Sequence, residues 1–204
     1  MAEVIDWPVD LIPGEMSLGL ESMTRSFESP WTGSVQTLET PGSKVVMQVS
    51  FKGLPVDKAR RLEALVFSLD GQAGRVRLWD FGARLVGSPQ PVRGVPVVTE
   101  ALAMRKMFTS RGWTPGTKVL QVGDWIQIGD ELKRVLADVT SDLSGGALIR
   151  VAPMLRGDYP SGTPLSVSRP SGVFMLRDDK AVTFQRSPGV FTDVSLSFVE
   201  SFYP

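Results

Sequence analysis

Polar and apolar positions alternate most cleanly over Lys44–Lys52. Val45, Met47, Val49 and Phe51 fall on one side, and Val46, Gln48, Ser50 and Lys52 on the other. A period of two is that of a strand with one buried face. The tail repeats it over Phe191–Phe202, setting Val194, Leu196 and Phe198 against Ser195, Ser197 and Val199. Gly74–Phe81 is a third such run. It places Arg75, Arg77, Trp79 and Phe81 on one side and Val76 and Leu78 on the other. Gly172–Arg177 and Lys180–Gln185 read as two further strands about an Asp178-Asp179 turn.

The period changes once. Over Val56–Leu69 the apolar residues Ala59, Leu62, Leu65, Val66 and Leu69 recur at three- and four-residue steps. That spacing makes one stripe on a helix. Pro55 and Asp57 suit its first turn and Gly71 its C-terminal cap. Phe67 lies off the stripe, so it is a candidate for contact with another layer or subunit. Residues 1–40 are turn-rich and weakly periodic, which predicts an extended arm with one or two short strands.

The middle of the chain has a different texture. In KVLQVGDWIQIGDELKRVLADV (118–139), Trp125–Ile128 leads into Gly129-Asp130 and Leu132–Val139 leads out. Gly and Asp tolerate the backbone angles of a tight hairpin. A strand over Ala147–Ala152 follows the Gly145-Gly146 turn. Short strands with tight connections predict a small barrel. GSPQPVRGVPV (87–97) holds three prolines and two glycines, where the chain leaves one unit for another. Thr99–Phe108 has helical composition, although Arg105–Ser110 suits a barrel strand. GDYPSGTP (157–164) reads as the return crossing.

Composition narrows the chemistry. The 204 residues carry 22 basic and 22 acidic side chains, no histidine and no cysteine. Imidazole-dependent nucleophile systems, thiol chemistry, disulfides and the usual zinc sites are therefore excluded. The absent cysteines fit folding in a reducing cytoplasm. No apolar run approaches the roughly 18 residues of a spanning helix. The acidic start MAEVIDWP is not expected to be a secretory signal.

Several phrases, in order, resemble the distal tail protein family of long flexible-tailed bacteriophages. They are VVMQVSFKGLP (45–55), ALVFSLDGQAGRVRLWDF (64–81), the 118–139 hairpin, IRVAPMLR (149–156), SGVFMLRDDK (171–180) and VSLSFVES (194–201). The resemblance implies a mainly β protein in two parts. Residues 1–86 and 167–204 would form a ring-forming β-sandwich with one α-helix. Residues 87–166 would form an inserted small OB-like β-barrel. It also implies a non-enzymatic virion component, made in the host cytoplasm, whose hexameric ring joins the tail tube protein to baseplate or other tail-tip proteins. Longer members of that family carry a later carbohydrate-binding domain to which nothing in these 204 residues corresponds, so direct host binding is not expected of this segment. Strand edges of the 44–52 and 191–202 runs, with Arg75, Arg77, Trp79 and Phe67, are the expected subunit contacts.

An OB-like barrel raises a rival function, since such barrels bind oligonucleotides or oligosaccharides. Trp113, Trp125 and Tyr159 are the candidate ligand contacts. The insert carries 9 basic and 7 acidic residues. That balance argues against nucleic acid, whose backbone needs a positive groove, and leaves a cell-surface glycan open as a ligand. The plainer reading is that these aromatics fill the barrel or seal a subunit contact. Asp124, Asp130, Glu131, Asp138 and Asp142 cluster in sequence without the spacing of a calcium loop, so they read as turn residues. No metal or cofactor is expected. Asp178-Asp179 is a turn rather than a catalytic pair, because neighbours on a strand face opposite ways. A wall hydrolase, the enzymatic rival, has no acid/base constellation behind it.

Overall fold

A computed structural model describes residues 3–82, 94–179, 182–186 and 191–202. The chain is mainly β, a β-sandwich unit carrying one helix together with a small six-stranded barrel. Before the barrel come β1 (Val4–Asp6), β2 (Glu15–Glu21), β3 (Thr24–Glu28), β4 (Val35–Glu39), β5 (Lys44–Pro55), α1 (Val56–Leu69) and β6 (Arg75–Trp79). The barrel segment holds β7 (Gly94–Glu100), β8 (Met107–Trp113), β9 (Lys118–Leu120), β10 (Trp125–Ile128), β11 (Glu131–Val135), β12 (Val139–Thr140), β13 (Ala147–Ala152) and β14 (Leu165–Ser166). After it come β15 (Ser171–Leu176), β16 (Gln185–Arg186) and β17 (Phe191–Glu200).

The sandwich unit's strands run in the order β1-β6-β15-β17-β5-β2, with β16 added beside β17. The alternation read in the sequence is what buries Val45, Met47, Val49 and Phe51 of β5 and Val194, Leu196 and Phe198 of β17. These side chains meet Ala59, Leu62, Val66 and Leu69 of α1 in one core. Trp7 and Leu11 from the first segment enter the same core, so chain from both ends encloses it. Asp70, not the expected Gly71, takes the left-handed cap position of α1 at φ 47°. Residues 1–40 form four strands rather than one or two, and β1 pairs in parallel with β6.

The 44–52 and 191–202 runs were expected to offer free edges, and they do not. β5 lies between β17 and β2, and β17 between β15 and β5. The sheet's outer strands are β1 and β2. The Asp178-Asp179 hairpin is also corrected. β15 pairs with β6 and β17, whereas β16 pairs with β17. Lys180 and Ala181 lie outside the described residues. Asp179 turns back to the helix end, where its Oδ1 accepts the Gln72 N–H at 2.8 Å.

The barrel sheet runs β14-β10-β11-β13-β8-β7. A Val97–Pro164 bridge and the Val98 N–H to Thr163 carbonyl bond (2.8 Å) bring its two ends together. Trp113, Ile126, Ile128, Ile149, Val151 and Leu155 fill a second core. The β10–β11 hairpin has the expected Gly129-Asp130 turn, with Ile128 opposite Glu131. Residues 94–97, read as part of a crossing, belong to β7. The ladder to β8 shifts register between Gly94 and Val97, which accommodates Pro96 and its missing N–H. Residues 87–93 lie outside the described part.

Candidate functional site: an exposed arm and a charged seam

Two features stand apart from the packing that holds each core. The first is the β3–β4 hairpin. Its strands pair from Thr24–Glu39 to Glu28–Val35, and every residue of both is exposed. The tip closes through the Ser29 N–H to the Ser34 carbonyl and the Gly33 N–H to the Ser29 carbonyl, each 2.9 Å. Phe27, Val35 and Leu38 are exposed on it, and Trp31 at the tip is 93% exposed. An isolated two-stranded ribbon is marginal in water. The base is tied down. Thr40 N–H and hydroxyl both bond the Met23 carbonyl, and Lys106 of the barrel reaches Glu39 at 2.6 Å. The arm continues from β2, whose outer edge has no strand partner among the described residues.

The second feature is the seam between sandwich and barrel. Glu131 and Lys133 on β11 face Glu200 at the end of β17, and Arg156 joins them after β13. Lys133 and Glu200 are fully buried, and Glu131 and Arg156 nearly so. Lys133 Nζ lies 2.6 Å from Glu131 Oε2 and 3.9 Å from Glu200 Oε1. The closer contact is a charge-assisted pair between a buried ammonium and a carboxylate. Arg156 Nη2 donates to Glu200 Oε2 at 3.0 Å and to the Ser43 carbonyl at 2.6 Å. Its guanidinium stacks on Phe202, 3.2 Å from the ring centroid. Burial pushes the Glu131 carboxyl up. The Lys133 charge, with hydrogen bonds from Tyr159 and the Gly157 N–H, more than offsets this and holds it below its ordinary value.

The residues singled out in the sequence divide between these regions. Phe67 stands out from α1, 73% exposed. Arg75 donates from Nη1 to the carbonyls of Gln72, Ala73 and Gly74 and so closes the turn after α1. Arg77 crosses the seam to Asp130 at 2.9 Å and lies 3.6 Å from Asp6. Trp79 is buried beside Phe81 and is stacked by Arg169 rather than by Arg75 or Arg77. These partners within the chain account for the Arg-aromatic face.

The three barrel aromatics do not share a surface. Trp113 is 3% exposed, and its indole N–H donates to Ser110 Oγ in the barrel core. A sugar or base could stack on it only if the barrel opened. Trp125 is covered on one face by Arg134 and donates to Asp80 across the seam. Tyr159 donates its hydroxyl to Glu131, and burial followed by that bond pushes its phenol far above the ordinary value. None of the three lines the groove of about 600 Å³ between Val95, Pro96 and Leu165. Among the described residues, no acidic group converges on a metal-binding position. Asp142 instead caps its own turn through Ser144 and Gly146, and Asp138 pairs with Lys118.

Neither the hairpin arm nor the charged seam was singled out from the sequence. β3 and β4 have no buried face, so no alternation marks them. Lys133 and Glu200 sit in β-rich runs where a lone charge reads as a solvated position. No helix among the described residues is long and apolar enough to cross a membrane. The sequence matches no protein-family model and no curated protein.

Proposed function

We propose that the chain is a structural subunit of a bacteriophage tail tip, a distal-tail-type protein that closes a hexameric ring between tail tube and baseplate or fibre. One observation carries the reading. The β3–β4 arm has no buried residue in either strand and presents Phe27, Trp31, Val35 and Leu38 to solvent. Apolar side chains on a thin ribbon need a second surface to cover them. The resemblance of the ordered phrases to distal tail proteins suggests the kind of surface, a neighbouring copy. A head-to-tail contact that closes on itself makes a ring, and pairing along β2 would also cover an open sheet edge.

The test is light scattering coupled to size exclusion, on the 22.2 kDa chain and on a Phe27→Ser/Trp31→Ser variant. The expected result is a hexamer, assembled alone or on the tail tube protein, that the variant loses while its circular dichroism is unchanged. A chain that stays monomeric at high concentration with tube protein present, or a variant that assembles as well as the parent, overturns the reading.

A further inference from the structure

The seam carries an inference that is independent of any ring. Its buried groups are two acids, Glu131 and Glu200, and two bases, Lys133 and Arg156, so their formal charges cancel. They are held by many directional bonds. Glu131 accepts the Arg156 and Gly157 N–H groups and the Tyr159 hydroxyl, Glu200 accepts the Val45 N–H and Arg156 Nη2, and Lys133 Nζ lies 2.6 Å from Glu131 Oε2. The contacts around them are polar as well. Gln127 Oε1 accepts from Ser171, and the Val173 N–H donates to the Asp130 carbonyl at 3.2 Å. The two surfaces also meet closely at one point. A Cβ on Gly172 of β15 would lie 2.9 Å from Leu132 Cβ of β11. Each side has an apolar core, and Leu132 of β11 and Trp125 of β10 reach across the seam into that of the sandwich.

Buried ion pairs contribute little net stability compared with apolar packing, but they disfavour every arrangement that leaves a charge unpaired. A joint of this composition specifies orientation more than it adds strength. We propose that the neutral quartet, together with the Gly172–Leu132 contact, is a latch that docks the barrel on the sandwich in one orientation. The latch opens as a unit, withdrawing Leu132 and Trp125 from the sandwich core, while the rest of both cores remains folded. The barrel is therefore an element with a docked and an undocked state, and charge balance selects the docked one.

Hydrogen exchange on the full chain tests this. In Glu200→Gln one buried positive charge loses its partner. The seam amides of Ser171 and Val173 should exchange about a hundredfold faster, with core amides of β5 and β13 unchanged. Glu200→Gln/Arg156→Met restores neutrality, keeps the Lys133–Glu131 pair at 2.6 Å, and should regain most of the protection. Gly172→Ala, which wedges the surfaces apart without touching a charge, should show the same split between seam and core. If Glu200→Gln does not fold, Gly172→Ala decides alone. Seam and core amides accelerating together would overturn the latch, because the joint would then open only by global unfolding. Unchanged seam amides, or a double variant as fast as the single, would overturn it too.

Discussion

Trp7 is the side chain on which the larger core turns. It packs on Phe51, Phe81 and Phe198 at centroid distances of 6.0 to 6.2 Å, and its indole N–H donates to the Leu11 carbonyl at 2.7 Å. Trp7→Ala would leave a cavity and an orphaned carbonyl, at a cost of about 3–5 kcal/mol. Urea unfolding should show this as a lower midpoint with little change in slope. Glu131 provides a pH-dependent counterpart. Its folded carboxyl titrates below the unfolded value of 4.5. Its stabilisation is therefore complete above that value and is lost as the pH falls through the lowered folded one. Melting temperature should drop more steeply on the acid side in the parent than in Glu131→Gln. Neither residue was legible as important. Trp7 lies in a stretch without period, and Glu131 follows a turn in which an acid is unremarkable.

At the scale of elements, α1 shows what periodicity can and cannot reveal. Leu62 is buried under the stripe and Phe67 projects from it, as the spacing predicts. Leu62→Ala should cost about 2–5 kcal/mol and Phe67→Ser no more than about 0.5, both measured by thermal unfolding. β5, β17, α1 and the β10–β11 hairpin were legible because each has one face in a core, which imprints its period on the sequence. The β3–β4 arm has no such face, so its pairing is invisible to that signal. β7 was missed for another reason. Pro96 and Gly94 are normally breakers, and here a register shift absorbs both. The Lys118–Val139 run also splits, since β11 ends at Val135 and β12 leaves to pair with β9.

For the whole molecule, the two-core arrangement could be read from the order of its patterns, but the joint between the cores could not. A seam is built from residues that are ordinary in sequence and meet only in space. Arg77 reaches Asp130 and Arg156 reaches Glu200, and nothing local announces either pair. The same holds for the sheet's edges. Strong alternation marks strands as half-buried, yet gives no neighbour order, and the two cleanest strands occupy the middle of the sheet. Sequence reasoning placed the candidate contacts on β6 and α1, whereas the exposed apolar arm lies between β2 and β5.

The position of β17 in the sheet has a consequence for biosynthesis. It joins β15 to β5, so the larger core is completed only once β17 has left the ribosome. The Val45 amide must wait for Glu200, 155 residues later. The barrel, whose strands all lie between Gly94 and Ser166, is available much earlier. Translation therefore delivers the barrel's strands before the sheet beside them is complete, and the exposed β5 needs protection until β17 arrives.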